Sequence, residues 1–151
     1  MAGELTHSRV VVREASPEDA AAVVRLIREL AAADGETTPI TETYAMGFLD
    51  APGNGVLLAE IGDEAVGLIS YSVRPNLYHA GYSASIDELV VSSGYRDRGV
   101  GGVLIDHLLH HLKALGCVEV SVTTMPGNEG AQRFYRAHGL VDEALFLEKH
   151  F

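Results

Sequence analysis

The segment Leu89 to Gly102 reads LVVSSGYRDRGVGG, an apolar run that enters a glycine-rich turn carrying Arg96 and Arg98 and continues into a helical pattern. Such a turn suits an anion. Glycines let the backbone approach it closely, free N–H groups at a helix start point at it, and the helix dipole favours its charge. The plainer alternative is a turn that only reverses the chain. Two familiar phosphate loops do not fit. Gly94 and Gly99 have P-loop spacing, but Val100 and Gly101 stand where Lys and Ser/Thr are required. Gly99 and Gly101 begin a dinucleotide fingerprint, but Leu104 occupies its third glycine position. Just upstream, Asp87 and Glu88 are adjacent acids in the apolar run Ser83 to Val91 (SASIDELVV). Strand alternation sends them to opposite faces, so only one faces a cleft, where a carboxylate could accept a proton. Edge charges without chemistry are the alternative.

Other reactive side chains are weaker candidates. Asp106, His107, His110 and His111 have helical spacing, yet the leucines of that helix claim its inward face and leave the histidines in solvent, so no metal is expected. Tyr78, His79 and Tyr82 lie in a loop where they could touch a substrate or simply pack. The single cysteine, Cys117, can form no internal disulfide and reads as a small core residue.

These residues need a scaffold, and the pattern supplies one. Ser8 to Glu14 is a β-branched run. Ser16-Pro17-Glu18-Asp19 then starts a helix with a cap, a proline and first-turn acids, and Asp34-Gly35 closes it. Thr41 to Leu49 reads as a second helix. Val56 to Ile61 and Ala65 to Val73, joined by Gly62-Asp63-Glu64, form a hairpin, and Ser83 to Val91 is a third strand of this group. A helix follows over Gly99 to Leu115, with Val103, Leu104, Leu108, Leu112 and Leu115 inward. Val118 to Thr123 is a strand, Glu129 to Ala137 a helix, and Leu145 to Phe151 a final strand.

The 151 residues suit one α+β domain over 1–151, with 47% hydrophobic and 21% charged residues. No apolar run approaches the ~20 residues of a membrane span, and Met1 to Val10 shows no signal-peptide pattern, so a cytoplasmic protein without a membrane partner is expected. With 21 acidic against 11 basic residues, the net charge of −10 disfavours nucleic acid and suits a cationic partner.

Arg96-Asp97-Arg98-Gly99-Val100-Gly101 resembles the Arg/Gln-x-x-Gly-x-Gly/Ala pyrophosphate loop of the GNAT superfamily, the acetyl-CoA-dependent N-acetyltransferases. Asn128 to Leu140 (NEGAQRFYRAHGL) is similar to that family's second signature, Asn-x-x-Ala-x-x-Phe-Tyr followed by Gly-Phe, with Leu140 in place of the last Phe. The order of elements matches over nearly the whole chain. The resemblance implies a mixed central sheet with two splayed parallel strands, flanked by about four helices, and acetyl-CoA as cosubstrate.

The family's site residues carry over by motif. Leu89, Val90 and Val91 would pair with the pantetheine arm. The pyrophosphate would be held by Arg96, Arg98, Gly99, Val100, Gly101 and Gly102. Asn128, Ala131, Phe134 and Tyr135 would line the thioester end. The resemblance favours Asp87, nine residues before the motif's first arginine, as the proton acceptor, with Glu88 in reserve. It makes Tyr135 the proton donor to the departing sulfur; an aromatic core residue is the alternative. The implied reaction is direct acetyl transfer in a ternary complex to a primary amine. Acids in rim loops (Asp34, Glu36, Glu42) favour a cationic small molecule such as a polyamine or aminosugar. A protein amine, or a binding module that uses acyl-CoA only as a regulatory ligand, are the other readings. The apolar side chains Leu145, Leu147 and Phe151 of the terminal strand predict a homodimer that covers a sheet edge.

Overall fold

A computed structural model describes residues 9–151. The expected first strand therefore begins partly outside the described residues, at Ser8, as does most of the Met1 to Val10 segment. Strands β1 (Val11–Glu14), β2 (Asn54–Ile61), β3 (Glu64–Asn76), β4 (Gly81–Val91) and β5 (Cys117–Val122) form one sheet in the order β1-β2-β3-β4-β5. The first four are antiparallel, and β5 is parallel to β4. Helices α1 (Ala20–Ala33) and α2 (Glu42–Asp50) cover one face; α3 (Val100–Ala114) and α4 (Glu129–Ala137) cover the other.

Local chemistry explains the helix ends. A 3-10 turn over Pro17–Asp19 precedes α1, and the Asp19 carboxylate accepts from the Ser16 backbone N–H at 2.8 Å. The Arg13 guanidinium grips the same carboxylate at 2.7 and 2.8 Å and holds its pKa down to about 2. The Thr41 hydroxyl caps α2 by accepting from the Tyr44 N–H at 3.1 Å. Alternation along the strands then builds two cores. Leu58, Leu68 and Val90 meet Val23, Leu26 and Ala45 on the α1/α2 side. Leu57, Ile69 and Ile86 meet Leu104, Leu108 and Leu112 on the α3 side. Ile105 belongs to this stripe and Leu115 does not: Leu115 caps α3 at 49% exposure.

Two departures from alternation matter for function. The register of β3 against β4 passes from Ile69↔Leu89 to Tyr71↔Ile86, so β4 carries one extra residue opposite Ser70. This bulge places Asp87 and Glu88 on the same face of the sheet, against the expectation of opposite faces. Second, the strand expected over Leu145 to Phe151 does not form. A strand needs an edge to pair with, and this segment runs clear of β5, with Leu145 and Leu147 more than four-fifths exposed. Among the described residues, no helix is long and apolar enough to cross a membrane.

Ser70, 2% exposed, holds the bulge with a single hydroxyl, which accepts from the Glu88 backbone N–H at 2.9 Å and donates to the Glu88 carboxylate at 2.6 Å. Removing it strands a backbone donor and a carboxylate together. Ser70→Ala is therefore expected to lower stability by about 1–3 kcal/mol, read from the urea midpoint. Stability within ~0.5 kcal/mol of the parent would show that the bulge does not depend on this hydroxyl.

Candidate functional site

The pairing of β4 with β5 runs from Tyr82↔Cys117 to Ile86↔Val122 and stops there. Beyond Ile86, β4 has a neighbour on one side only. The Ser92 N–H donates to the Val66 carbonyl at 2.8 Å and the Glu88 N–H to Ser70, so these groups point toward β3. By alternation, the main-chain groups of Leu89 and Val91 point into the gap left by β5. The Arg96 Nε donates to the Val91 carbonyl at 3.1 Å from that side, which agrees. Leu89 and Val91 lie half-buried on the α3 face, and Val90 is buried on the other.

The glycine turn sits at the end of this open stretch. Gly99 is the N-cap of α3, with φ of +79°, and Asp97 also has positive φ at +61°. Within α3 the first hydrogen bond runs from the Val103 N–H to the Gly99 carbonyl at 3.1 Å, so the N–H groups of Val100, Gly101 and Gly102 have no helical acceptor. Gly101 is where three elements converge. A Cβ there would lie 3.6 Å from the Phe134 ring of α4 and 3.9 Å from Val91 of β4, ordinary contact distances. Protein packing thus leaves room for a side chain at Gly101, and the space suits a ligand that must reach the backbone. The exposed arginines flank it: Arg96 is tied to Val91, and Arg98 stacks over the Tyr95 ring at 5.4 Å. Glu29 of α1, which sequence patterning did not mark, accepts from the Ser93 N–H at 2.7 Å and the Ser92 hydroxyl at 3.1 Å and so anchors the turn.

Helix α4 supplies the other wall. The Asn128 side chain accepts from the Ala131 N–H at 3.0 Å, so its carbonyl oxygen caps the helix, leaving its amide N–H groups for a ligand. Ala131 and Phe134 are half-buried against the α3-side core, and Tyr135 is 9% exposed within it. Burial pushes the Tyr135 phenol above its ordinary pKa and keeps it protonated. Among the described residues, no fully enclosed side-chain oxygen or nitrogen lacks a partner. Among the described residues the Tyr135 hydroxyl has no hydrogen-bond partner, which leaves it free to meet a ligand.

On the opposite face lies a cavity of about 750 Å³ between α1, α2 and the sheet, with Asp87, Glu88 and Ser70 at its polar end. Burial raises the pKa of Asp87, a shift that the Ser85 hydroxyl at 3.3 Å opposes. The carboxylates and the tyrosine therefore stand on opposite faces of the sheet, and the gap beside β4 is what connects them.

The remaining candidates fall outside this arrangement. Asp106 pairs with His138 at 2.9 Å, His111 pairs with Glu14 at 3.1 Å, and His107 and His110 are exposed. Tyr78 is 91% exposed, His79 pairs with Glu119 at 3.4 Å, and neither they nor Tyr82 line the cavity. Cys117 is half-buried, and burial raises its thiol pKa.

Comparison with known proteins agrees with this architecture. The chain is 30% identical over 140 residues to an aminoalkylphosphonate N-acetyltransferase of Salmonella typhimurium, covering 93% of this chain and 86% of that one. It is 29% identical to a thialysine N-epsilon-acetyltransferase of Bos taurus, covering 88% and 85%. The solved structure of an aminoglycoside acetyltransferase from an uncultured soil metagenomic sample, in complex with sisomicin, shares the fold, with a TM-score of 0.83, 19% identity and 94% and 95% coverage. Residues 21–140 match the acetyltransferase (GNAT) family model. With its mixed sheet, its glycine-capped α3 and that match, the chain belongs to the GNAT family and is an acyltransferase.

Proposed function

We propose that the protein transfers the acetyl group of acetyl-CoA directly to a cationic primary amine. The observation that carries this reading is the open edge of β4, which lies between a cradle of free N–H groups and a cavity ending in two carboxylates. Acetyl-CoA supplies an activated acyl carbon on a thiolate leaving group. Leu89 and Val91 offer main-chain groups to its arm, and Val100, Gly101 and Gly102, flanked by Arg96 and Arg98, offer donors to its pyrophosphate. The incoming ammonium must lose a proton before it can attack, and Asp87 accepts it, directly or through water. A C–N bond forms, the C–S bond breaks as Tyr135 donates its proton to the sulfur, and the second proton that leaves the nitrogen restores the Tyr135 phenol through water. Glu88, held by Ser70, contributes fixed negative charge that attracts the ammonium. Cys117 is half-buried, its thiol pKa is raised by burial, and it sits at the Tyr82 end of the β4/β5 pairing away from this gap, so it gives no support to an acyl-enzyme route.

We also propose a homodimer. The outer edge of β5 pairs with no strand among the described residues, while residues 141–151 form neither helix nor strand and leave Leu145, Phe146, Leu147 and Phe151 exposed. An open edge and an unpaired apolar segment in one chain satisfy each other between two copies, the segment of one pairing on β5 of the other.

The roles of Asp87 and Tyr135 separate by experiment. Burial raises the Asp87 pKa, so the ionised form opposes folding; that penalty is absent below the unfolded value near 3.8 and grows as pH rises through the folded value. Asp87→Asn is thus expected to unfold at the same or a higher temperature at pH 7. It should also lose ~100-fold or more in turnover there and recover at high pH, where the amine deprotonates unaided. Tyr135→Phe should retain acetyl-CoA affinity and melting temperature and lose a similar factor without that recovery. Full activity in either variant removes its residue from the mechanism. For the assembly, sedimentation at micromolar concentration should give a dimer, and a chain ending at Leu140 a monomer; a monomeric parent would contradict the exchange.

A further inference from the structure

The cavity's lining is specific about what it can accept. Its volume of about 750 Å³ falls in the range of small-molecule sites. Its walls are apolar: Val23 and Ile27 of α1, Ile40, Phe48 of α2, and Leu68 of β3. The lining also contains four hydroxyls: that of Tyr44 belongs to a side chain 68% exposed, and those of Thr38, Thr41 and Ser70 are each engaged within the chain. Thr38 accepts from the Ile40 N–H at 3.3 Å, Thr41 from the Tyr44 N–H at 3.1 Å, and Ser70 serves Glu88. The carboxylates of Asp87 and Glu88 are the ionised groups of the lining, and no Lys or Arg is among its residues. Arg28 reaches the Ile40 carbonyl at 3.4 Å without lining the cavity.

We infer that the acceptor is a primary amine with one cationic head and an apolar alkyl or aryl body, the ammonium at Asp87 and Glu88 and the body against Phe48, Ile27 and Ile40. This rests on the acetyl-transfer reading and names its substrate class. Each alternative leaves a polar group unpaired in the cavity. An aminosugar would bring several hydroxyls to walls with few free partners. A polyamine would place a second ammonium on apolar surface, and an aminophosphonate would bring an anion toward two carboxylates with no cation to receive it. The acidic composition alone suggested polyamines and aminosugars. The placement of the charge, concentrated at one end of an apolar cavity, separates the head of the ligand from its body.

The test is acetyl-CoA turnover, read by thiol release, with 2-phenylethylamine, spermidine, glucosamine and 2-aminoethylphosphonate as acceptors. The expected kcat/KM for 2-phenylethylamine exceeds each of the others by ~10-fold or more, since a buried apolar group discriminates on that scale. Phe48→Ser should erase most of that margin, chiefly through a higher KM for 2-phenylethylamine. A preference for spermidine, glucosamine or 2-aminoethylphosphonate overturns the inference while leaving the acetyl-transfer reading intact. If no acceptor turns over, that reading fails, and calorimetry decides the present one: saturable binding of 2-phenylethylamine weakened by Phe48→Ser supports the apolar cavity, and absence of binding refutes it.

Discussion

Backbone hydrogen-bonding groups taken from water must find partners, and the second half of β4 has a protein neighbour on one side only. Its pairing with β5 ends at Ile86↔Val122, while β4 continues to Val91. The rest of the site follows from that mismatch. Leu89 and Val91 are left with main-chain groups facing a gap, and the gap leads from the glycine turn to the cavity. The bulge at the same point turns two successive carboxylates toward that cavity, and Ser70 compensates for the ladder bond the bulge removes. An uninterrupted sheet would close the gap and aim one of the two acids into the opposite core.

The electrostatics of the chain divide along the same line. In a molecule of net charge −10, the proposed coenzyme site is favourable to an anion only by local arrangement: free N–H groups at the start of α3, with Arg96 fixed to Val91 and Arg98 stacked on Tyr95. The two acids of the cavity lining, Asp87 and Glu88, stand on the other side of that line. Asp87 remains exposed, and partial burial raises its pKa, a direction that suits the proton acceptor proposed above. Tyr135 is raised by burial on the other side of the sheet and stays a donor. The two shifts suit opposite halves of one proton balance.

Most of the scaffold was legible because its signals are local. The cap at Ser16, the hairpin turn at Gly62-Asp63 and the full extent of α4 were readable from residue types and periodicity, and the glycine turn with NEGAQRFYRAHGL marked the family. What escaped was non-local. The bulge depends on how β4 registers against β3, so alternation along β4 alone sent Asp87 and Glu88 apart. Ser70 and Glu29 act through partners 18 and 63 residues away in sequence, and neither belongs to a motif. Leu145 to Phe151 has strand composition but is not brought alongside the open edge of β5, and where a segment is carried in space is a condition that composition does not encode. The character of the cavity lining was hidden for a related reason: whether Thr38, Thr41 and Ser70 can greet a ligand depends on which groups already hold them.

The most direct measurement is amide hydrogen exchange, residue by residue, with and without saturating acetyl-CoA. Exchange should slow at Leu89 and Val91, whose N–H groups face the gap, and at Val100, Gly101 and Gly102 at the start of α3. Val90, directed at β3, should be slow in both states. Protection of the whole set would place the coenzyme along the open edge of β4. Exchange at Leu89, Val91 and Gly101 that stays unchanged while acetyl-CoA is bound would contradict the account at its foundation.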